Sequence, residues 1–72
     1  MNYKTYGVNE VRTFAHENSI NAKLHSGDVI ILFTELEVRA VVSALEKGEK
    51  QHQVSKQYGA QGEFENFIVK IE

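Results

Sequence analysis

The chain has 72 residues, a formal net charge of −2 and no cysteine, and 42% of its residues are hydrophobic. This length predicts a single small domain over residues 1–72, and the mild charge argues against a nucleic-acid binder that relies mainly on phosphate contacts. The lack of cysteine excludes disulfides and thiolate metal sites. We find no basic N-terminal region followed by an apolar core and no apolar stretch of about 18 residues, so we expect neither a signal peptide nor a membrane span. These features predict a soluble cytoplasmic protein.

The N-terminal segment favours a strand followed by a short helix. Residues 2–6 are rich in Tyr and Thr, which are typical of an extended edge strand. Asn9 is a suitable N-cap for a helix over residues 9–17, in which Val11 and Phe14 lie on one face. A strand over residues 11–16 is the alternative to this helix.

Residues 20–33 have the pattern of a β-hairpin. Ile20, Ala22 and Leu24 alternate with polar residues, which is the period of a strand with one wet face. Ser26 and Gly27 make a tight connection. Residues 29–33 then form a continuous apolar run, which is typical of a strand that is central or covered on both faces.

A helix over residues 34–47 follows this run directly. Thr34 and Glu37 have the capping-box spacing, in which the threonine oxygen accepts from the Glu37 N–H and the Glu37 carboxylate accepts from the Thr34 N–H. Gly48 is the natural left-handed residue after the last turn. The apolar face of this main helix is predicted to comprise Leu36, Val38, Ala40, Val41, Val42, Ala44 and Leu45.

The C-terminal part favours a second pair of strands. Residues 64–71 alternate so that Phe67, Val69 and Ile71 share one face. The preceding segment 49–62 is polar, and residues 53–58 are a candidate exposed strand. Residues 59–62 supply glycines for a turn.

Together these elements predict a small α+β fold. Its antiparallel or mixed sheet contains the hairpin 20–33, the C-terminal strand 64–71 and the candidate strands 2–6 and 53–58. The sheet packs against the main helix 34–47 and the shorter helix 9–17. The second choice is the ferredoxin-like order βαββαβ, for which 72 residues are cramped.

The sequence contains no catalytic, phosphate-binding or metal-binding motif that we recognise, so we expect no enzyme, no cofactor and no metal site. The turn Ser26–Gly27–Asp28 lacks the base and oxyanion hole that a nucleophilic serine needs. Residues 59–62 lack the spacing of a phosphate-binding loop. The three histidines, His16, His25 and His52, are widely spaced in the sequence, and no pair of them has a metal-ligand spacing.

The leading hypothesis is a small non-catalytic binding module, of the inhibitor or adaptor type, that acts through protein–protein contacts and self-associates, with a dimer favoured. A chain this small gains stability from association, and exposed strand edges invite pairing. Tyrosine is favoured in interfaces, whereas the four phenylalanines lie in apolar sequence surroundings. The candidate interface residues are Tyr3, Tyr6, Lys50, His52, Lys56 and Tyr58.

The alternative hypothesis is a nucleotide or nucleic-acid binding protein that uses residues 47–58. This window combines Lys47, Lys50 and Lys56 with Tyr58, and basic residues beside an aromatic ring can bind single strands. Glu46 and Glu49 dilute its charge, which makes a solvated loop the simpler interpretation. The hypothesis predicts salt-sensitive binding that a Lys50→Glu, Lys56→Glu double variant loses.

Overall fold

The computed structural model describes residues 5–7, 9–12 and 23–72, and these form a four-stranded mixed sheet, one long helix and a helical turn at residues 9–12. The α+β prediction is therefore confirmed, and the C-terminal strand has the predicted bounds. The elements are β1 (Thr5–Tyr6), β2 (Val29–Leu32), the main helix (Glu35–Lys47), β3 (His52–Tyr58) and β4 (Phe64–Ile71).

The strand order in the sheet is β1-β2-β4-β3. Strand β1 pairs parallel to β2, and β4 pairs antiparallel to both β2 and β3. The predicted C-terminal strand is thus an interior strand, and the candidate strand at residues 53–58 is confirmed as β3. Burial of β4 between two neighbours ties down the C-terminal end of the described chain.

The predicted hairpin over residues 20–33 is wrong in its first strand. Lys23 is helical, and Leu24 and His25 lie outside any strand. Both edges of β2 are already taken by β1 and β4, which leaves no place for a hairpin partner. Leu24 is nevertheless fully buried, because an irregular segment can bring a leucine to the core as well as a strand can. Residues 20–22 lie outside the described residues.

The predicted N-terminal helix is confirmed over the residues that the structure describes. Residues 9–12 are helical, and the Val11 N–H donates to the Gly7 carbonyl over 3.1 Å. Val11 is buried, and the Arg12 Nε lies 3.6 Å from Glu37 Oε2, which links this turn to the main helix. Residues 13–17 of this prediction, and residues 2–4 of the predicted first strand, lie outside the described part.

The main helix begins where the capping signal predicts. Thr34 is extended, with φ −126° and ψ 153°, and its Oγ1 accepts from the Glu37 N–H over 3.2 Å. The reciprocal bond differs from the expectation, because Glu37 Oε1 accepts from the Thr34 hydroxyl over 2.8 Å rather than from the backbone. The cap still satisfies one donor of the first turn and holds the Glu37 carboxylate in place.

The end of the main helix differs from the prediction by one residue. Gly48 has a φ of −85°, whereas Glu49 has a φ of 55° and takes the left-handed position. The Lys50 N–H donates to the Leu45 carbonyl over 2.9 Å, and the Glu49 N–H donates to the Glu46 carbonyl over 3.1 Å. These two bonds define a Schellman motif with a glutamate where glycine is usual.

We expect Glu49→Gly to stabilise the protein. A left-handed conformation costs a side-chain residue about 1–2 kcal/mol, and the greater freedom of glycine in the unfolded chain offsets part of the gain. The expected net gain is about 0.5–1 kcal/mol, measured by denaturant unfolding. The matched control is Glu46→Gly, at an exposed position inside the helix, which should lose about 0.5–1 kcal/mol. Loss of stability in both variants would contradict the assignment of the cap.

The core lies between the main helix and one face of β2 and β4. Val41 and Leu45 are the buried residues of the helix. Val38 and Ala44 are partly buried and pack against the same core. Leu36 and Ala40 differ from the prediction, because Leu36 is 76% exposed and Ala40 is exposed as well. The buried hydrophobic residues described are Tyr6, Val11, Leu24, Ile30, Leu32, Val41, Leu45, Phe67, Val69 and Ile71.

Candidate functional site

An exposed aromatic groove lies at the end of the sheet where β2 leads into the main helix. Phe33, Tyr58 and Phe64 are 51%, 56% and 44% exposed, although phenylalanine is normally buried. The groove has a volume of about 380 Å³. Its lining comprises Phe33, Glu35, Lys56, Tyr58, Phe64 and Phe67. We call this feature the aromatic groove.

Phe33 reaches the groove because of its position between two elements. Strand β2 ends at Leu32, and the helix begins after the cap at Thr34. Phe33 therefore belongs to neither the sheet ladder nor the helix face, and its ring is left in solvent. Its position in an apolar run predicted burial, and this expectation is wrong.

A β-bulge brings the other two exposed rings together. The register of β3 and β4 shifts between Gln57 and Tyr58, so that Gln57 faces Asn66 while Tyr58 faces Phe64. Without the shift, Tyr58 would face Glu65. Bulges re-aim side chains at the ends of strands in this way. The turn that follows is closed by a Gly59 N–H donating to the Glu63 carbonyl over 2.7 Å.

Three rings of the groove, those of Tyr58, Phe64 and Phe67, hold one another in place. The centroids of Tyr58 and Phe64 are 6.3 Å apart at an interplanar angle of 77°, an edge-to-face contact. The centroids of Phe64 and Phe67 are 4.8 Å apart at 60°. The Lys56 Nζ lies 5.9 Å from the centroid of Phe67. Such contacts fix ring orientation, so the groove is largely preformed.

Two of the candidate interface residues meet in this groove. Lys56 and Tyr58 line it together, two positions apart on β3. His52, on the same strand, is half-buried, and its Nδ1 lies 2.9 Å from the Lys50 carbonyl oxygen. Tyr3 lies outside the described residues.

Tyr6 and Lys50 make contacts within the fold. The Tyr6 ring is buried, and its hydroxyl donates to the Lys23 carbonyl over 3.2 Å. The Lys50 Nζ donates to the Leu24 carbonyl oxygen. Lys50 and Tyr6 therefore hold the segment that precedes β2.

Phe33, Glu35 and Phe64 belong to the groove but were not among the candidates from sequence. Phe33 directly precedes the helix cap, and Phe64 follows the turn at residues 59–62 by two positions. An aromatic residue at the end of an element, beside a cap or a turn, is the signal that would have found them. Among the phenylalanines that the structure describes, Phe67 is the one that is buried as predicted, with 8% exposure.

The turn at Ser26–Gly27 is confirmed as a turn, although no hairpin surrounds it. Asp28 is buried and its Oδ2 accepts from the His25 N–H over 2.9 Å, while the Asp28 N–H donates to the His25 carbonyl over 3.0 Å. Asp28 therefore stabilises the backbone here. Within residues 5–7, 9–12 and 23–72, no group of three His, Asp or Glu side chains is arranged to hold a metal ion.

The Tyr6 phenol titrates abnormally. Burial raises the pKa of Tyr6 above its ordinary value of 10.0, and the Asp28 carboxylate raises it further through its charge and a hydrogen bond, with a smaller contribution from Glu10. The folded protein thus keeps the Tyr6 proton at a pH where the unfolded chain has lost it. Above pH 10, the free energy of unfolding should therefore fall.

We expect Tyr6→Phe to flatten this alkaline loss of stability. The variant keeps the ring but removes the titrating hydroxyl, so its free energy of unfolding should fall less between pH 9 and pH 11 than that of the wild type. Urea unfolding at a series of pH values measures the difference. Below the unfolded pKa of 10.0, the two curves should run parallel. Equal slopes above it would show that Tyr6 is not buried as described.

Among the described helices, none is both long and apolar enough to cross a membrane. Comparisons of the chain with protein-family models, with curated proteins and with solved structures found no match.

Proposed function

We propose that this protein is a small non-catalytic binding module, of the inhibitor or adaptor type, that acts through protein–protein contacts and self-associates. The observation that carries the proposal is the aromatic groove. Three half-exposed aromatic rings share one concave surface of an α+β domain. Exposed apolar surface rimmed by polar groups is typical of protein interaction sites.

The chemistry of the groove suits an apolar side chain from a protein partner. Rigid rings provide a large contact area at little cost in conformational entropy, and the nearly buried Phe67 forms the base of the groove. Glu35 and Lys56 bring one charge of each sign to the lining, which would orient the polar groups that flank the inserted side chain. The expected partner is thus a protein that presents an aliphatic or aromatic anchor.

The experiment is affinity capture from host extract with two baits, the wild type and Tyr58→Ser. Proteins that bind the groove should be recovered with the wild type and lost with the variant, as measured by quantitative mass spectrometry. Tyr58 is more than half exposed, so the variant should remain folded. Circular dichroism spectra of the two baits check this point.

The matched control bait is Gln57→Ser, one position earlier on β3. Gln57 is also exposed and is paired with Asn66, and strand alternation points it away from the groove. This bait should recover the same proteins as the wild type. Recovery of the same proteins by all three baits would refute the groove as the binding surface.

A further inference from the structure

Strand β3 is an open edge of the described sheet. Within that sheet its one neighbour is β4, and six of its seven residues are exposed. An edge strand presents unpaired N–H and C=O groups that another strand can use. Charged side chains and β-bulges discourage the pairing of edge strands. Strand β3 contains a single charged residue, Lys56, and its bulge lies at its far end, beside Tyr58.

The register identifies which backbone groups point outward. The Gln51 carbonyl accepts from the Glu72 N–H over 2.8 Å, so Gln51 faces β4. Antiparallel pairing alternates, and Gln53 and Ser55 therefore also direct their N–H and C=O groups to β4. The residues between them, His52, Val54 and Lys56, direct theirs to the open edge.

We infer that β3 pairs with β3 of a second copy, antiparallel, about a two-fold axis at Ser55. This inference rests on the self-association in the proposed function and names its surface. Outward-facing residues must oppose outward-facing residues, so the two-fold axis of a symmetric pair must pass through a residue, and the central choices are Val54, Ser55 and Lys56. Of these three registers, only the axis at Ser55 pairs every residue of β3, from His52 to Tyr58, with a residue of the other β3.

The Ser55 register also avoids a clash of charge. It places Val54 opposite Lys56 of the second copy, Gln53 opposite Gln57, and His52 opposite Tyr58. An axis at Val54 would leave Gln57 and Tyr58 without a partner in the other β3, and an axis at Lys56 would oppose two lysines. Like charges directly opposite one another destabilise a strand pair. A second copy therefore fits this edge in the Ser55 register.

Such a dimer has a consequence for the aromatic groove. A two-fold axis perpendicular to the sheet puts both main helices on the same face of a continuous eight-stranded sheet. The two grooves then open on that face, on either side of the paired β3 strands. A partner with two anchors would gain affinity through the raised effective concentration of the second groove.

The test uses cysteine cross-linking, since the chain has no cysteine of its own. In the inferred register Ser55 lies opposite itself in a non-hydrogen-bonded pair, with a Cα–Cα distance of about 4.5 Å, which suits a disulfide. We expect Ser55→Cys to form a covalent dimer under mild oxidation, read on a non-reducing gel. Gln57→Cys is the matched control on the same face of β3. Its two cysteines would be offset by four residues, about 13 Å, and should not cross-link.

Charge variants at Val54 test the register independently. Val54→Glu would face Lys56 of the second copy twice by symmetry, and Val54→Lys would create two lysine pairs. Relative to the neutral Val54→Gln, we expect the dimer to be tightened by the glutamate and weakened by the lysine, each roughly two- to thirty-fold. Sedimentation equilibrium measures these constants. Weakening by both charges would favour the axis at Val54 and overturn the inference.

The outcomes separate this inference from the proposed function. A wild-type dimer without the Ser55→Cys cross-link would overturn the β3 edge and leave self-association through another surface. A wild type that stays monomeric at all concentrations would overturn both the edge and the self-association. Capture of partners by the groove is measured separately, so either result leaves the groove to its own test.

Discussion

Leu45→Ala is expected to cost this protein about 2–5 kcal/mol of unfolding free energy. Leu45 is fully buried on the main helix, within the cluster that contains Leu24, Ile30 and Leu32. Its truncation removes apolar contacts and leaves a cavity that the packed neighbours fill only in part. A small domain has a total stability of about 5–15 kcal/mol, so the thermal midpoint should fall by roughly 10 °C or more. Thermal unfolding followed by circular dichroism measures the shift.

The same substitution at Leu36 provides the control for this prediction. Leu36 lies on the same helix but is 76% exposed, so Leu36→Ala should change stability by no more than about 0.5 kcal/mol. Because the two substitutions are identical, the difference between their unfolding free energies reports the effect of burial and not that of helix propensity. Equal losses in the two variants would mean that the helix is rotated about its axis relative to the described packing.

Phe64→Ala is expected to weaken binding of a captured partner about thirtyfold or more. Interface residues that act as anchors contribute about 2 kcal/mol or more, and aromatic residues are prominent among them. Phe64 contacts both Tyr58 and Phe67, so its removal also releases the edge-to-face arrangement of the groove. The dissociation constant of the purified partner, measured by calorimetry, reports the effect.

A second variant separates loss of the ring from loss of its hydroxyl group. Tyr58→Phe keeps the ring that contacts Phe64, so it should bind within a few-fold of the wild type if apolar contact dominates. Unfolding curves for both variants show whether binding is lost without loss of fold. An unchanged dissociation constant for Phe64→Ala in a folded protein would remove the groove from the interface.

Local sequence patterns are sufficient to predict much of the fold. The cap at Thr34, the apolar stripe through Val41 and Leu45, and the alternation in β4 each depend on neighbours within a few residues along the chain. Helix capping and strand alternation are short-range effects, and a sequence displays them directly. This is why the main helix and β4 were predicted within one residue of their observed bounds.

The sequence does not show in the same way which strands pair with one another. The alternation in residues 20–25 suggested a hairpin, but β2 is flanked by β1 and β4, which are distant in sequence. Likewise, the apolar run to Phe33 suggested burial throughout, whereas Phe33 is exposed because β2 stops one residue earlier. Which strand lies beside another depends on the packing of the whole chain.

The sequence by itself determined the α+β class, the main helix with its cap and the C-terminal strand β4, because those features follow from periodicity and local hydrogen bonding. It indicated β3 only as a candidate exposed strand. Only the tertiary structure decided the mixed strand order, the open edge at β3 and the groove formed by Phe33, Tyr58 and Phe64. These three rings are separated along the chain by up to about thirty residues. They meet because a strand end, a helix cap and a β-bulge coincide in space.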